Sequence, residues 1–122
     1  MIRIAGAALN QTPIDWERNK ENCIYAIEYA RMHDVKILCL PELCISGYGC
    51  EDMFLSQWLY ETAWQQLLSL LPYTYDITVA IGFPFRHKGQ NHNAVALIKD
   101  TQMLGIYCKQ FLANDGIHYE PR

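Results

Sequence analysis

Apolar residues come in short blocks along this chain, and the spacing inside the blocks changes from one to the next. Residues 2–9, IRIAGAAL, run almost unbroken with Arg3 as their one charge, the pattern of a mostly buried strand. NQTPID follows. Thr12 reads as an N-cap, Pro13 fits the first helical position, and Asp15 stands three residues after the cap, as in a capping box. Trp16, Cys23, Ile27 and Ala30 then recur at helical spacing and predict an amphipathic helix to about Arg31. HDVKILCL turns the chain into a second strand that ends at Glu42.

Beyond a loop at 46–54, Trp58, Leu59, Ala63, Leu67, Leu70 and Leu71 form the apolar stripe of a second helix over about 56–71, with Pro72 at its end. ITVAIGFPF (77–85) is predicted as a third strand, RHKGQNH as a polar turn and NAVALI (93–98) as a fourth strand. KDTQ makes a tight turn into a fifth, MLGIYCK (103–109). The order β-α-β-α-β-β-β places the chain in the α/β class. No repeat, low-complexity segment or linker interrupts it. No final helix is predicted to cover the second face of the sheet. An apolar face and an open edge are therefore expected, either in a self-associating chain or in the front part of something longer.

Composition narrows the picture. A chain of 122 residues suits a single domain, and 51% hydrophobic with 19% charged is a globular balance. The net charge is −3 and the ten Lys and Arg are scattered, so no basic stripe points to nucleic acid. Met1 opens directly into IRIAGAAL, without the charged and apolar regions of a signal peptide, and the apolar runs are strand-sized, far short of a membrane span. A soluble, cytoplasmic protein is expected. The five cysteines (23, 39, 44, 50 and 108) are then read as reduced thiols, mostly core filler.

The chemistry concentrates at strand ends. In ILCLPELCISGYGCEDMF (37–54) an apolar run meets Pro41, then the carboxylate of Glu42, then a loop with Gly47 and Gly49. Ligands of open α/β sheets bind beyond the carboxyl ends of strands, so Glu42 is placed for general base work; a solvated, ion-paired strand end is the plainer reading. Lys109 ends the fifth strand. It is placed to stabilise an oxyanion, or it is a solvated terminus. Asn114-Asp115-Gly116 is a turn signal, and Glu120 is a candidate second acid. The four histidines have no zinc spacing, and no phosphate loop or serine nucleophile elbow is found, so no metal is expected.

LPELCISGYGCEDMF resembles the glutamate motif of the nitrilase superfamily of carbon-nitrogen hydrolases. Its GYGCEDMF continuation, GFPFRHKGQNHNAVALI and YCKQFLANDGIHYEPR resemble the glutaminase domain of glutamine-dependent NAD+ synthetases. The resemblance spans the chain and implies a four-layer α-β-β-α sandwich, of which residues 1–122 are an N-terminal portion. It also implies a Cys-Glu-Lys triad that hydrolyses the glutamine side-chain amide. Ammonia then passes to an ATP- and Mg-dependent synthetase domain that amidates deamido-NAD+; the glutaminase part needs no cofactor. Glu42 takes the general-base role, Lys109 the oxyanion role, and Glu120 a supporting one. The family's cysteine lies downstream of the lysine motif, and no cysteine follows Lys109 here. The chain alone is therefore expected to be inactive, with glutamine, the remainder of the same polypeptide and a second copy as its partners, and neither nucleic acid nor membrane. Another nitrilase-type amidase and a non-catalytic binding or assembly module are the alternative readings.

Overall fold

The structure, a computed structural model, describes residues 1–110. Five strands form one sheet in the order β1-β2-β3-β4-β5: β1 (Ile4–Gly6), β2 (Ile37–Cys39), β3 (Thr78–His87), β4 (Gln90–Lys99) and β5 (Gln102–Cys108). The first three run parallel, joined by α1 (Trp16–Met32) and α2 (Gln57–Leu70), and β3, β4 and β5 form an antiparallel meander. The expected order of elements is therefore present. Among the described residues no helix is long and apolar enough to cross a membrane.

Both helices lie on one face. Cys23, Ile27 and Ala30 of α1 and Ala63, Leu67 and Leu70 of α2 share a core with Leu38, Val79, Ile81, Phe83, Ala96 and Ile98 of the sheet. Each fully buried Leu, Ile or Phe there contributes about 1.5–3 kcal/mol. The opposite-parity positions point away from the helices. Ile37, Cys39, Leu97 and Tyr107 are exposed on that open face, Tyr107 at 64%. The apolar second face expected from the sequence is thus present among the described residues.

The predicted start of α1 is corrected. Asp15, not Thr12, is the N-cap, its Oδ1 accepting from Arg18 N at 3.3 Å. Thr12 is occupied elsewhere, because the buried side chain of Asn19 accepts from Thr12 N at 3.0 Å and donates to Thr12 O at 2.8 Å. That pairing holds residues 12–14 as a loop, with Ile14 at φ 64°. The same amide donates to Ile45 O at 3.2 Å, and Gln11 Nε2 donates to Cys44 O at 2.7 Å. The loop before α1 is thereby a bracket for the loop after β2.

The first two strands are shorter than their apolar runs, and the hairpin is longer than its polar turn suggested. Only Lys88 and Gly89 turn the chain between β3 and β4, at φ 51° and 75°, while Arg86↔Asn91 and His87↔Gln90 remain paired. Left-handed φ at both positions matches the twist of a two-residue hairpin. Asp100 and Thr101 do the same between β4 and β5, at φ 50° and 70°. They are secured by Thr101 N donating to Thr74 Oγ1 at 3.0 Å and Asp76 N donating to Asp100 Oδ1 at 3.0 Å.

Candidate active site

Glu42 follows β2 by way of Leu40 and Pro41, and Lys109 follows β5 directly. In the sheet these strands are separated by β3 and β4, three spacings of roughly 14 Å in all. The side chains meet nevertheless: Lys109 Nζ donates to Glu42 Oε1 at 2.9 Å. The gap closes because the chain after β2 crosses over the middle of β3, at Gly82, instead of continuing straight.

Gly82 makes that crossing possible. A Cβ at this position would lie 2.5 Å from Pro41 O, 2.6 Å from Leu43 N and 3.0 Å from Glu42 C. The main chain of residues 41–43 therefore occupies the space a side chain would take. Leu43 turns at φ 50° and inserts its side chain, fully buried, beside Cys50, Phe54, Leu59 and Tyr60. Ile45 N donates to Gly82 O at 3.3 Å, Ile14 N to Ser46 O at 2.8 Å and Gly47 N to Leu43 O at 2.8 Å. Gly47, at φ 87°, lies so close to Pro13 that a Cβ would sit 2.8 Å from that residue's main chain. Glu42 thus stands on a loop fastened at its far side, with its carboxylate aimed over the open face.

Asn93 completes the arrangement. It is 3% exposed, and its Nδ2 donates to the same Glu42 oxygen at 2.8 Å. Its main-chain carbonyl accepts from Lys109 N at 2.8 Å. Glu42, Asn93, Val95, Tyr107 and Lys109 border a shallow depression of about 210 Å³ on the open face. The side chains of Lys109 and Glu42 keep 39% and 44% of their exposure, so water screens their attraction. The pair therefore matters through its placement more than through its contribution to stability. A fixed carboxylate beside a fixed ammonium can move a proton and hold a developing oxyanion.

The thiols lie elsewhere. Cys44, two residues from Glu42, is buried with its Sγ 3.9 Å from Cys23 Sγ. The hydrogen bond with Cys23 and then burial raise its thiol well above the usual range. Burial also raises Cys50, whose Sγ contacts Ser46 O at 3.4 Å and Gly47 O at 3.3 Å, and Cys108, which packs toward the helix layer. Such thiols are poor nucleophiles. Cys39 is exposed on the open face, within β2 and outside the depression.

The structure therefore brings together Glu42 and Lys109, which the sequence singled out, and adds Asn93, Gly82 and the bracket of Gln11 and Asn19, which it did not. The glycine inside the strand pattern ITVAIGFPF was the one available signal for a close backbone approach. Asp115 and Glu120 lie outside the described residues. No cluster of three His, Cys, Asp or Glu able to hold a metal occurs among the described residues.

The carbon-nitrogen hydrolase family model matches residues 3–121. A glutamine-dependent NAD(+) synthetase of Arabidopsis thaliana is 36% identical over 124 residues, which is 100% of this chain and 17% of that protein. The crystal structure of a glutamine-dependent NAD(+) synthetase from Cytophaga hutchinsonii superimposes with a TM-score of 0.93 at 53% identity, over 97% of this chain and 20% of that one. An amidase from Nesterenkonia sp. shares the fold, with a TM-score of 0.84 at 20% identity over 99% of this chain and 48% of that one. The chain spans 17% and 20% of the length of these two synthetases. With the family model matched almost from end to end, the chain belongs to the carbon-nitrogen hydrolase family.

Proposed function

We propose that these residues are the N-terminal portion of a domain that hydrolyses glutamine to glutamate and ammonia for NAD+ synthesis. The observation that carries the reading is the contact of Lys109 Nζ with Glu42 Oε1 at 2.9 Å, at the carboxyl ends of the strands. The 53% identity to a glutamine-dependent NAD(+) synthetase supports glutamine as the amide.

In this reading a cysteine thiol from outside the 122 residues attacks the side-chain carbonyl carbon of glutamine. Glu42 takes the thiol proton as the S–C bond forms, and the carbonyl π electrons move to oxygen beside the Lys109 ammonium. The tetrahedral adduct collapses, the C–N bond breaks, and Glu42 returns its proton to the departing ammonia. Water, deprotonated by Glu42, then cleaves the glutamyl thioester, releasing glutamate and restoring the thiol. Glu120 acts as the supporting acid. ATP and Mg²⁺ belong to a separate synthetase domain that uses the ammonia to amidate deamido-NAD+, and the glutaminase part needs neither. The remainder of the polypeptide covers the apolar open face, the assembly is a homo-oligomer, and the free thiols suit the cytoplasm.

Ammonia release from glutamine tests this with two samples: the 122-residue chain, and the complete enzyme that carries this segment together with its cysteine. The complete enzyme is expected to release ammonia, and the chain none. Release by the chain alone that disappears in Glu42→Ala would overturn the external thiol and move attention to Cys44 and Cys50. A complete enzyme that ignores glutamine but cleaves another amide would overturn the substrate.

A further inference from the structure

Two donors converge on one oxygen of Glu42. Asn93 Nδ2 lies 2.8 Å from Oε1, and Lys109 Nζ lies 2.9 Å from the same atom. Among the described residues no donor meets Oε2. A hydrogen bond or a cation stabilises negative charge on the oxygen it touches and makes that atom the poorer proton acceptor. The oxygen without a donor keeps its lone pairs available. Among the described residues the two halves of the carboxylate are therefore chemically unequal.

Asn93 is suited to impose that inequality. It is buried on β4, which limits the directions its amide can take, and its Nδ2 is directed at Glu42 Oε1. The β4–β5 register sets Ala94 opposite Cys108, which brings Asn93 beside Lys109, and its carbonyl receives the lysine's main-chain N–H at 2.8 Å. One residue thus fixes the carboxylate through its side chain and the lysine's departure from the strand through its backbone.

From this geometry we infer that Asn93 is a positioning residue for the hydrolysis: it holds Glu42 by Oε1, so that Oε2 is the atom that takes the thiol proton and returns it to the departing ammonia. The inference rests on the proposed thiol chemistry but not on glutamine being the substrate. Lys109 alone would leave the carboxylate free to rotate about its last torsion and present either oxygen. With Asn93 in place, rotation also breaks the part-buried hydrogen bond from Asn93 Nδ2.

Alkylation of the nucleophilic cysteine by iodoacetamide in the complete enzyme, without glutamine, reads the base directly, because the thiolate is the species that reacts. Asn93→Ala is expected to slow alkylation ~10-fold. Asn93→Asp keeps the size of the side chain but turns an acceptor toward Oε1, and is expected to slow it at least as much. In a Glu42→Ala background neither substitution should slow it further, since Asn93 acts through Glu42. Equal slowing in both backgrounds would mark a purely structural role and overturn the inference, as would wild-type rates in both variants. A readout without any change at Asn93 guards against misfolding: its side-chain amide resonances are expected to move in Glu42→Ala, and unmoved resonances would also overturn it. An enzyme that ignores glutamine yet shows this coupling sinks the glutaminase reading and leaves the role of Asn93 standing.

Discussion

Glu42→Gln in the complete enzyme is expected to lower kcat/KM for the proposed glutamine hydrolysis by about 10³-fold and to leave the fold in place. Gln is the informative choice because its amide oxygen can still accept from Asn93 Nδ2 and Lys109 Nζ, the two contacts Glu42 Oε1 makes. What is lost is the atom that accepts a proton. The stability change is expected to stay within about 1 kcal/mol, since the ion pair joins half-exposed groups that water screens. Steady-state kinetics together with a thermal unfolding curve separate these effects. A variant that retains activity to within threefold would remove Glu42 from the chemistry, and one that unfolds would give the carboxylate a structural role instead.

Gly82→Ala damages both the fold and the site. The added methyl group would stand 2.5 Å from Pro41 O and 2.6 Å from Leu43 N. These are main-chain atoms, so no side-chain rotation relieves the overlap. Either β3 or the segment carrying Glu42 must move, at a cost of about 3 kcal/mol. A shift of the carboxylate by about 1 Å is enough to lower turnover by about 10²-fold. Gly105→Ala is the matched control. Gly105 also lies in the sheet, in β5, but a Cβ there meets no described atom within 4 Å. Denaturant midpoints of both variants in the 122-residue chain, where Gly105 faces open space, and glutamine turnover of Gly82→Ala in the complete enzyme test the crossing. Equal tolerance at the two glycines would mean that the close passage of residues 41–43 over β3 does not matter.

Elements and strand-end groups were legible in the sequence because local pattern determines them. Apolar spacing marks α1 and α2, and the runs that end at Glu42 and near Lys109 place both groups at carboxyl ends without knowledge of the sheet order. What was not legible depends on partners far along the chain. Asn93 and Glu42 are 51 residues apart, so an asparagine at the head of NAVALI reads as an ordinary polar flank. Thr12 has the right chemistry for a cap, but Asn19 takes its backbone and passes the cap to Asp15. RHKGQNH reads as a loop because its residues are polar, yet most stay in register as the exposed end of a hairpin. Polarity there reports solvent exposure and not loss of strand.

The central claim is that a thiol from outside these residues meets Glu42 and Lys109 over the open face. A diazoketone analogue of glutamine tests it most directly, since it alkylates the cysteine that faces the glutamine carbonyl and loses dinitrogen in forming a thioether. The complete enzyme would be labelled, digested and mapped by mass spectrometry, with glutamine as the protecting competitor. The expected result is one glutamine-protected thioether on a cysteine beyond Arg122, with labelling slowed in Glu42→Gln. A protected label on Cys44, Cys50 or Cys108, or labelling that is indifferent to Glu42, would contradict it.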